Sequence, residues 1–376
     1  MRVVFPYFAQ LHQVFHSLPI AAEMALRHPD VEVHVAAATP AHRDFIWSLL
    51  QKHAPAASVR VDALSRPWLK ANPGKKKMMA KNLRYLRSFD AIVVPERTSL
   101  FMRQLGLGNT RLIWTRHGAG DRAVGFSTDV HQFDFVLVAG RKIERRLLTA
   151  GLIRPGHYLS GVYAKFDWMD PTPTRNSLFE NDRPTVLYNP HFHDSFSSWN
   201  RHGLDILKIF ASSTQYNLIF APHIRLFDPP SDDKYKPFEI YRRLPHIHID
   251  LGSPRGTDMT YINAADMYLG DVSSQVAEFV TRPRPCLFIN AHAANWQNNP
   301  DYEFWKLGPV IDGLDDFHKK IEAAFSSHTD YLPAQRQYAE ETFGIMPGEA
   351  SAARGADAIV DFLSGRASPC AAASAP

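Results

Sequence analysis

Residues 267–290 read MYLGDVSSQVAEFVTRPRPCLFIN, and this stretch decides the fold. An apolar run ends at Gly270, Asp-Val-Ser-Ser follows, a helical pattern occupies 274–281, and a second apolar run fills 285–290. Continuous apolar strands on either side of a helix signal a βαβ unit in a parallel sheet covered on both faces. Gly270, Asp271, Ser273 and Ser274 then lie at the C-terminal end of a strand, with Glu278 one turn into the next helix. Two readings of this turn stand. Ser and Asp are ordinary helix N-caps, because their side-chain oxygens accept from free N–H groups of the first turn. The same free N–H groups and the positive helix end attract phosphate, to which serine hydroxyls add donors.

The pattern repeats outward from this unit. In the first half, apolar runs at 2–8, 31–38, 91–96, 111–115 and 135–139 read as strands, with helices expected over 18–27, 41–52 and 140–152 and a short strand in HYLSGV, 157–162. The stretch PTPTRNSLFENDRP, 171–184, is rich in Pro, Asn and Asp and reads as a linker. A second series follows, with strands at 185–190, 216–222, 246–250, 266–270 and 285–290 and helices at 203–211, 259–264 and 274–281. The expected organisation is α/β, with one Rossmann-like domain over 1–170, a linker over 171–184, a second such domain over 185–365, and a small polar tail over 366–376.

Bulk properties fit this organisation. The chain has 376 residues, enough for two cores, and 45% of them are hydrophobic. Two cysteines, Cys286 and Cys370, make no disulfide framework and fit a reducing, cytoplasmic setting. No apolar run approaches the ~20 residues that span a bilayer, and the N-terminus reads as a first strand and not as a signal peptide. Net charge is only +4, but residues 66–89 hold eight basic side chains and no acidic one. Met79, Leu83 and Leu86 recur there at helical spacing opposite Lys77, Lys81 and Arg84. Three readings follow: a solvated helix face packed on its own domain, an anionic membrane surface, or a polyanionic acceptor. Nucleic acid is not expected, since the patch has few aromatics and no known binding module.

Unusual polar groups fall at several strand ends. TRHGAGDRAVGF, 115–126, sets His117 beside Gly118, where glycine admits a ligand close to the backbone and histidine can serve as a base near neutral pH. LIFAPHIRLFD puts His223 and Arg225 after a strand of the second domain, where both can neutralise phosphate oxygens. YNPHFHDSFSSW contributes His191, His193 and Asp194. A His-x-His-Asp cluster lacks the third and fourth ligands at recognisable spacing that zinc sites recruit, so no metal is expected.

Taken in order, TRHGAGDRAVGF, FDFVLVAGRKIERRLLTAGL with LSGVYAKFDWM, VLYNPHFHDSF, LIFAPHIRLF and DMYLGDVSSQVAEFVTRPRPCLFIN resemble the CDP-glycerol glycerophosphotransferase family over roughly residues 110–290. That family builds teichoic-acid-like polymers on the two-Rossmann glycosyltransferase fold, GT-B, in which two domains face each other across a substrate cleft. Nucleotide-sugar epimerases of related fold also carry a serine-rich turn followed by a glutamate that holds the ribose. The resemblance implies that Ser273, Ser274 and the helix N-terminus grip the nucleotide phosphates and that Glu278 holds the ribose. Asp271 would shape that turn, and Gly118 and Arg225 would complete the donor contacts. His117 would activate the acceptor hydroxyl, and His223 would stabilise charge on the phosphates.

The expected function is therefore transfer of glycerol phosphate, or a related group, from a CDP-linked donor to a hydroxyl of a cell-surface polymer or lipid-linked acceptor. No cofactor or metal is implied, and the location is cytoplasmic or peripheral on the inner membrane face. Two departures from the family leave other donors open. Ala119, Gly120, Asp121 and Arg122 follow the first His-Gly where the family has threonine and then lysine, and Ile224 replaces the proline after His223. A UDP- or CMP-sugar glycosyltransferase or epimerase is one alternative. A catalytically inactive nucleotide- or polyanion-binding protein is the other.

Overall fold

The computed structural model describes residues 1–8, 10–66, 74–119, 126–169, 178–344 and 350–366. Among these the chain forms two compact units, each around its own parallel sheet. The first sheet holds β1 (Arg2–Tyr7), β2 (Glu32–Ala37), β3 (Val59–Ala63), β4 (Ala91–Val94), β5 (Arg111–Trp114), β6 (Phe135–Val138) and β7 (Tyr158–Ser160) in the order 3-2-1-4-5-6-7. The second holds β8 (Thr185–Asn189), β9 (Asn217–Phe220), β10 (Ile247–Ile249), β11 (Met267–Gly270), β12 (Cys286–Ile289) and β13 (Val310–Ile311) in the order 10-9-8-11-12-13.

Both are doubly wound Rossmann orders, and the strand order reverses between β1 and β4 and again between β8 and β11. Open sheets of this kind bind ligands beyond the strand C-termini at such switch points. The strands that meet there are buried end to end: β4, β8 and β11 have no exposed residue. Pro6 is tolerated in central β1 because its missing N–H falls past the β4 ladder, which pairs only Val3 and Val4.

Ten of the eleven expected strands are reproduced within a residue or two, and the eleventh, HYLSGV, narrows to Tyr158–Ser160. Two strands were not foreseen. β3 lies at the sheet edge, with Arg60 and Asp62 partly solvated, so its run is polar, and β13 is only two residues long.

The domain boundaries also differ from the sequence reading. The chain from Glu341 onward belongs to the first unit, although the sequence assigned residues to 365 to the second domain. Asp167 accounts for the start of the helix Ala352–Leu363: its carboxylate accepts from the N–H groups of Ser351 and Ala352, each at 2.8 Å, and from the Ser351 hydroxyl at 2.9 Å. Arg27 then holds Asp357 through two bonds, and Gly355 packs against Ile20 and so close to Leu137 and Val162 that a Cβ there would stand 3.2 Å from each. Residues 171–177 of the expected linker and 367–376 of the expected tail lie outside the described residues. From 178 the linker is already part of the second unit, with Phe179 buried and Asn181 accepting from Asn217 at 2.9 Å.

The basic stretch forms two short helices, Lys75–Lys81 and Leu83–Leu86, and not one continuous amphipathic helix. Asn82 interrupts it by bonding Ser65 through both side-chain atoms and the Met78 carbonyl besides. Met78, Met79 and Leu86 are buried in the first unit's core, so the apolar face is covered, while Lys76, Lys77, Lys81 and Arg84 are exposed. Residues 67–73 of this stretch lie outside the described residues.

Candidate active site

In the first unit, polar groups gather where β1, β4 and β5 end. Arg116 and Gly118 flank His117 with φ of 50° and 72°, so the chain turns through two left-handed residues to present the imidazole. Its Nδ1 lies 2.8 Å from the Pro95 carbonyl. A carbonyl only accepts, so Nδ1 carries the hydrogen and Nε2 keeps its lone pair. His117 is exposed on one side, but the surrounding protein still desolvates the ring and lowers its pKa below the ordinary histidine value, against the opposing pull of the Pro95 bond. His12 and His16 stand edge-on to it, with ring centroids 6.1 and 6.3 Å away. His16 is kept neutral first by burial and then by Lys165, His117 and His12.

Glu96, buried beside this cluster, accepts from Lys75 Nζ and from the Thr98 hydroxyl, each at 2.7 Å. Burial pushes its carboxyl up, but the bonds from Lys75, Thr98 and Gln13 outweigh that and leave it below the ordinary value. Of this cluster the sequence picked out only His117, Gly118 and, as part of a surface run, Lys75. A polar residue directly after an apolar strand, as in AIVVPE, was the available signal for Glu96.

In the second unit, the ends of β8, β9 and β11 converge. Asn189, the last residue of β8, donates to the Ala221 carbonyl at 2.6 Å and accepts from the Ser273 hydroxyl at 2.8 Å. One side chain thus fixes both the His223 loop and the serine turn. The His223 N–H donates to the Pro190 carbonyl at 3.0 Å, and its ring lies 5.5 Å from that of His191. Arg225 is exposed and rests its guanidinium 4.0 Å over the Phe192 ring, a cation–π contact that orients it.

Three histidines here share one tautomer. Nδ1 of His223 accepts from Arg225 N–H at 3.2 Å, Nδ1 of His191 from His193 N–H at 3.0 Å, and Nδ1 of His193 from Ser195 N–H at 3.3 Å. Each neutral ring therefore carries its hydrogen on Nε2, the reverse of His117. No group of three His, Cys, Asp or Glu side chains among the described residues is arranged to hold a metal.

The serine turn combines the cap and a free hydroxyl. Ser273 is buried, donates to Asn189 and accepts from Gln275 N–H at 3.3 Å, so its hydroxyl is engaged by the protein. Ser274 is exposed and its hydroxyl makes no cap bond. The helix it opens, Gln275–Phe279, is five residues long, and Glu278 within it is only 4% exposed. Glu278 therefore shows little of itself to solvent.

Asp271 is wholly buried. Its Oδ1 accepts from the N–H groups of His191 at 2.8 Å and Val272 at 2.6 Å, and its Oδ2 from Ser198 N–H at 2.5 Å and the Ser198 hydroxyl at 2.8 Å. This arrangement builds Asp271 into the framework of the turn, and it leaves no carboxylate face for a ligand.

No family model matches the sequence, and no curated protein matches it. Solved structures do. The wall teichoic acid polymerase TagF, in a variant soaked with CDPG, aligns with TM-score 0.63 over 97% of this chain and 89% of that one at 14% identity. The UDP-GlcNAc 2-epimerase of Neisseria meningitidis bound to UDP-GlcNAc gives 0.60 over 97% and 100% at 14% identity. The S. aureus MnaA–UDP structure gives 0.61 over 96% and 97% at 10% identity. The fold is GT-B. As a GT-B chain it carries a Rossmann-like sheet in each unit, as the sequence led us to expect. A GT-B scaffold hosts several chemistries, so its function has to be argued from the residues at the strand ends.

Proposed function

We propose that this protein is a transferase that uses a nucleotide-activated donor, most simply CDP-glycerol, and passes glycerol phosphate to a hydroxyl of a polymer or lipid-linked acceptor. The opposite tautomers of His117 and His223 carry this reading. His117 offers a bare Nε2, which can take the proton of an attacking hydroxyl. His223 offers Nε2–H, and with Arg225 can donate to phosphate oxygens on which charge develops. In the reaction the acceptor oxygen, its proton passed to His117, attacks the glycerol-bearing phosphorus of the donor. The bond from that phosphorus to the bridging oxygen breaks, and CMP leaves with the electron pair. Ser274, exposed at the turn, would offer its hydroxyl to a nucleotide phosphate, and Glu278 would hold the ribose. Exposed Lys76, Lys77, Lys81 and Arg84 would attach the enzyme peripherally to an anionic surface. No helix among the described residues is long and apolar enough to cross a membrane.

A second reading, a UDP- or CMP-sugar-dependent glycosyltransferase or epimerase, draws support from the two neighbours bound to UDP-GlcNAc and UDP. Calorimetric titration with CDP, UDP and CMP, followed by turnover assays on CDP-glycerol, separates the two. Tight CDP binding with CMP release supports the transferase, and preference for UDP without CDP-glycerol turnover supports the second reading. Failure to bind any of the three removes both.

A further inference from the structure

The donor-site geometry points to Asp271 as the positioning residue that holds two separate loops of the second unit in one arrangement. We infer that Asp271, without touching the donor, sets donor affinity by tying the loop after β8 to the turn after β11; this rests on the function proposed above. The loop after β8 runs through His191 and Ser198, and the turn after β11 runs from Asp271 to Ser274. These loops are joined at the switch point by a single carboxylate that accepts four hydrogen bonds, three from the first loop and one from Val272 of its own turn. The Asp271 carbonyl accepts from Trp305 Nε1 at 3.0 Å, which fixes the backbone from a third side. Ser198 is anchored further by Tyr188, whose hydroxyl lies 2.9 Å from its own.

A carboxylate suits this place because it has acceptors only, and all four neighbours are donors. An asparagine would turn an NH2 group towards two of them, and those donors would lose their partner. Burial raises the Asp271 carboxyl to about 6, against the pull of the bonds from Ser198, His191 and Val272. The four bonds therefore hold an ion that the protein interior disfavours.

The test compares Asp271→Asn and Ser198→Ala with Trp305→Phe, which removes one donor to the Asp271 carbonyl and keeps the carboxylate link between the two loops. Hydrogen exchange needs no ligand and reads the loops directly. Amides of His191, Ser198 and Val272 should exchange faster in Asp271→Asn, and the acceleration should extend to Ser274 and Gln275. In the folded variant CDP affinity should fall about tenfold or more, the scale of a lost charged hydrogen bond, and KM for donor should rise more than kcat falls. Ser198→Ala, which keeps the carboxylate, should show the same split to a smaller degree and serves if Asp271→Asn does not fold. Trp305→Phe should lower the melting temperature, with CDP affinity falling far less than in Asp271→Asn. If affinity follows melting temperature equally across all three variants, or if the loop amides of Asp271→Asn and Ser198→Ala exchange as in wild type, the inference is overturned. Wild type that binds no nucleotide would instead refute the proposed function, with the exchange result still deciding the role of Asp271.

Discussion

Lys75 meets Glu96 at 2.7 Å, and that pair stands beside His117. A lysine of a basic run that looks, in sequence, like surface decoration is thus tied into the polar cluster at the ends of β4 and β5. Its positive charge helps hold the His117 pKa down, while Glu96 acts in the opposite sense.

The coupling has a sign that kinetics can read. A base needs Nε2 unprotonated, so turnover is lost as pH falls through the His117 pKa. Lys75→Gln removes a cation and leaves Glu96 uncompensated, and both changes raise that pKa. The acid limb of the pH–rate profile should move to higher pH than in wild type. Superimposable profiles would mean that the pair and the base do not communicate.

His117→Ala should reduce turnover by roughly 10²–10⁴, the range for loss of a general base, with nucleotide affinity nearly unchanged in calorimetry. Equal loss of both would make His117 a ligand contact and not a base.

The two serines should separate. Ser274→Ala should weaken nucleotide binding by about 1–3 kcal/mol, the scale of a hydrogen bond to a charged group. Ser273→Ala should cost about 1 kcal/mol of stability, since its hydroxyl bonds Asn189 and Gln275. Calorimetry and denaturant midpoints on both variants test this, and the reverse pattern would return the turn to a simple cap at Ser274.

Gly270→Ala should destabilise the second unit by about 1–3 kcal/mol, as overpacked cores do. A Cβ there would stand 2.8 Å from the Tyr268 hydroxyl and 3.0 Å from the Asn189 carbonyl, both part of the switch point. A urea midpoint equal to wild type would show that this corner can relax.

If the exposed charges attach the protein to an anionic leaflet, each contributes about 1 kcal/mol near the surface. Changing Lys76, Lys77, Lys81 and Arg84 to Gln should then abolish sedimentation with phosphatidylserine-containing vesicles and spare activity on a soluble acceptor. Vesicle binding that survives the change would leave these side chains as a solvated face.

The strands were legible because burial on both faces writes itself as unbroken apolar runs such as FVLVA and TVLYN. β3 was not, since an edge strand with Arg60 and Asp62 lacks that mark. His117, Asp271 and Ser273 could be read from their position after such runs. What holds them could not. The Pro95 carbonyl, the Asn189 amide and the Ser198 hydroxyl act across 22, 84 and 73 residues of chain, and nothing local to them announces a partner. Ser273 and Ser274 look equivalent as letters, and only their backbone directions distinguish a buried hydroxyl from an open one. The final helix misled the domain boundary for the same reason, because its amphipathic pattern says that it packs but not against which sheet.

That helix also imposes an order of assembly on the newborn polypeptide. A ribosome makes all thirteen strands found among the described residues before it reaches Ala352–Leu363, which covers Ile20 and Leu137 of the first unit. At roughly 5–20 residues per second, the stretch between Asp167 and its partners at Ser351 and Ala352 takes on the order of ten seconds or more to synthesise. Through that interval the earlier-made unit waits with an uncovered apolar flank, while the later-made one already has every strand it needs. The half of the molecule that is translated second is thus the half that can finish first, and a stall or premature stop before the last helix leaves the N-terminal half exposed to aggregation.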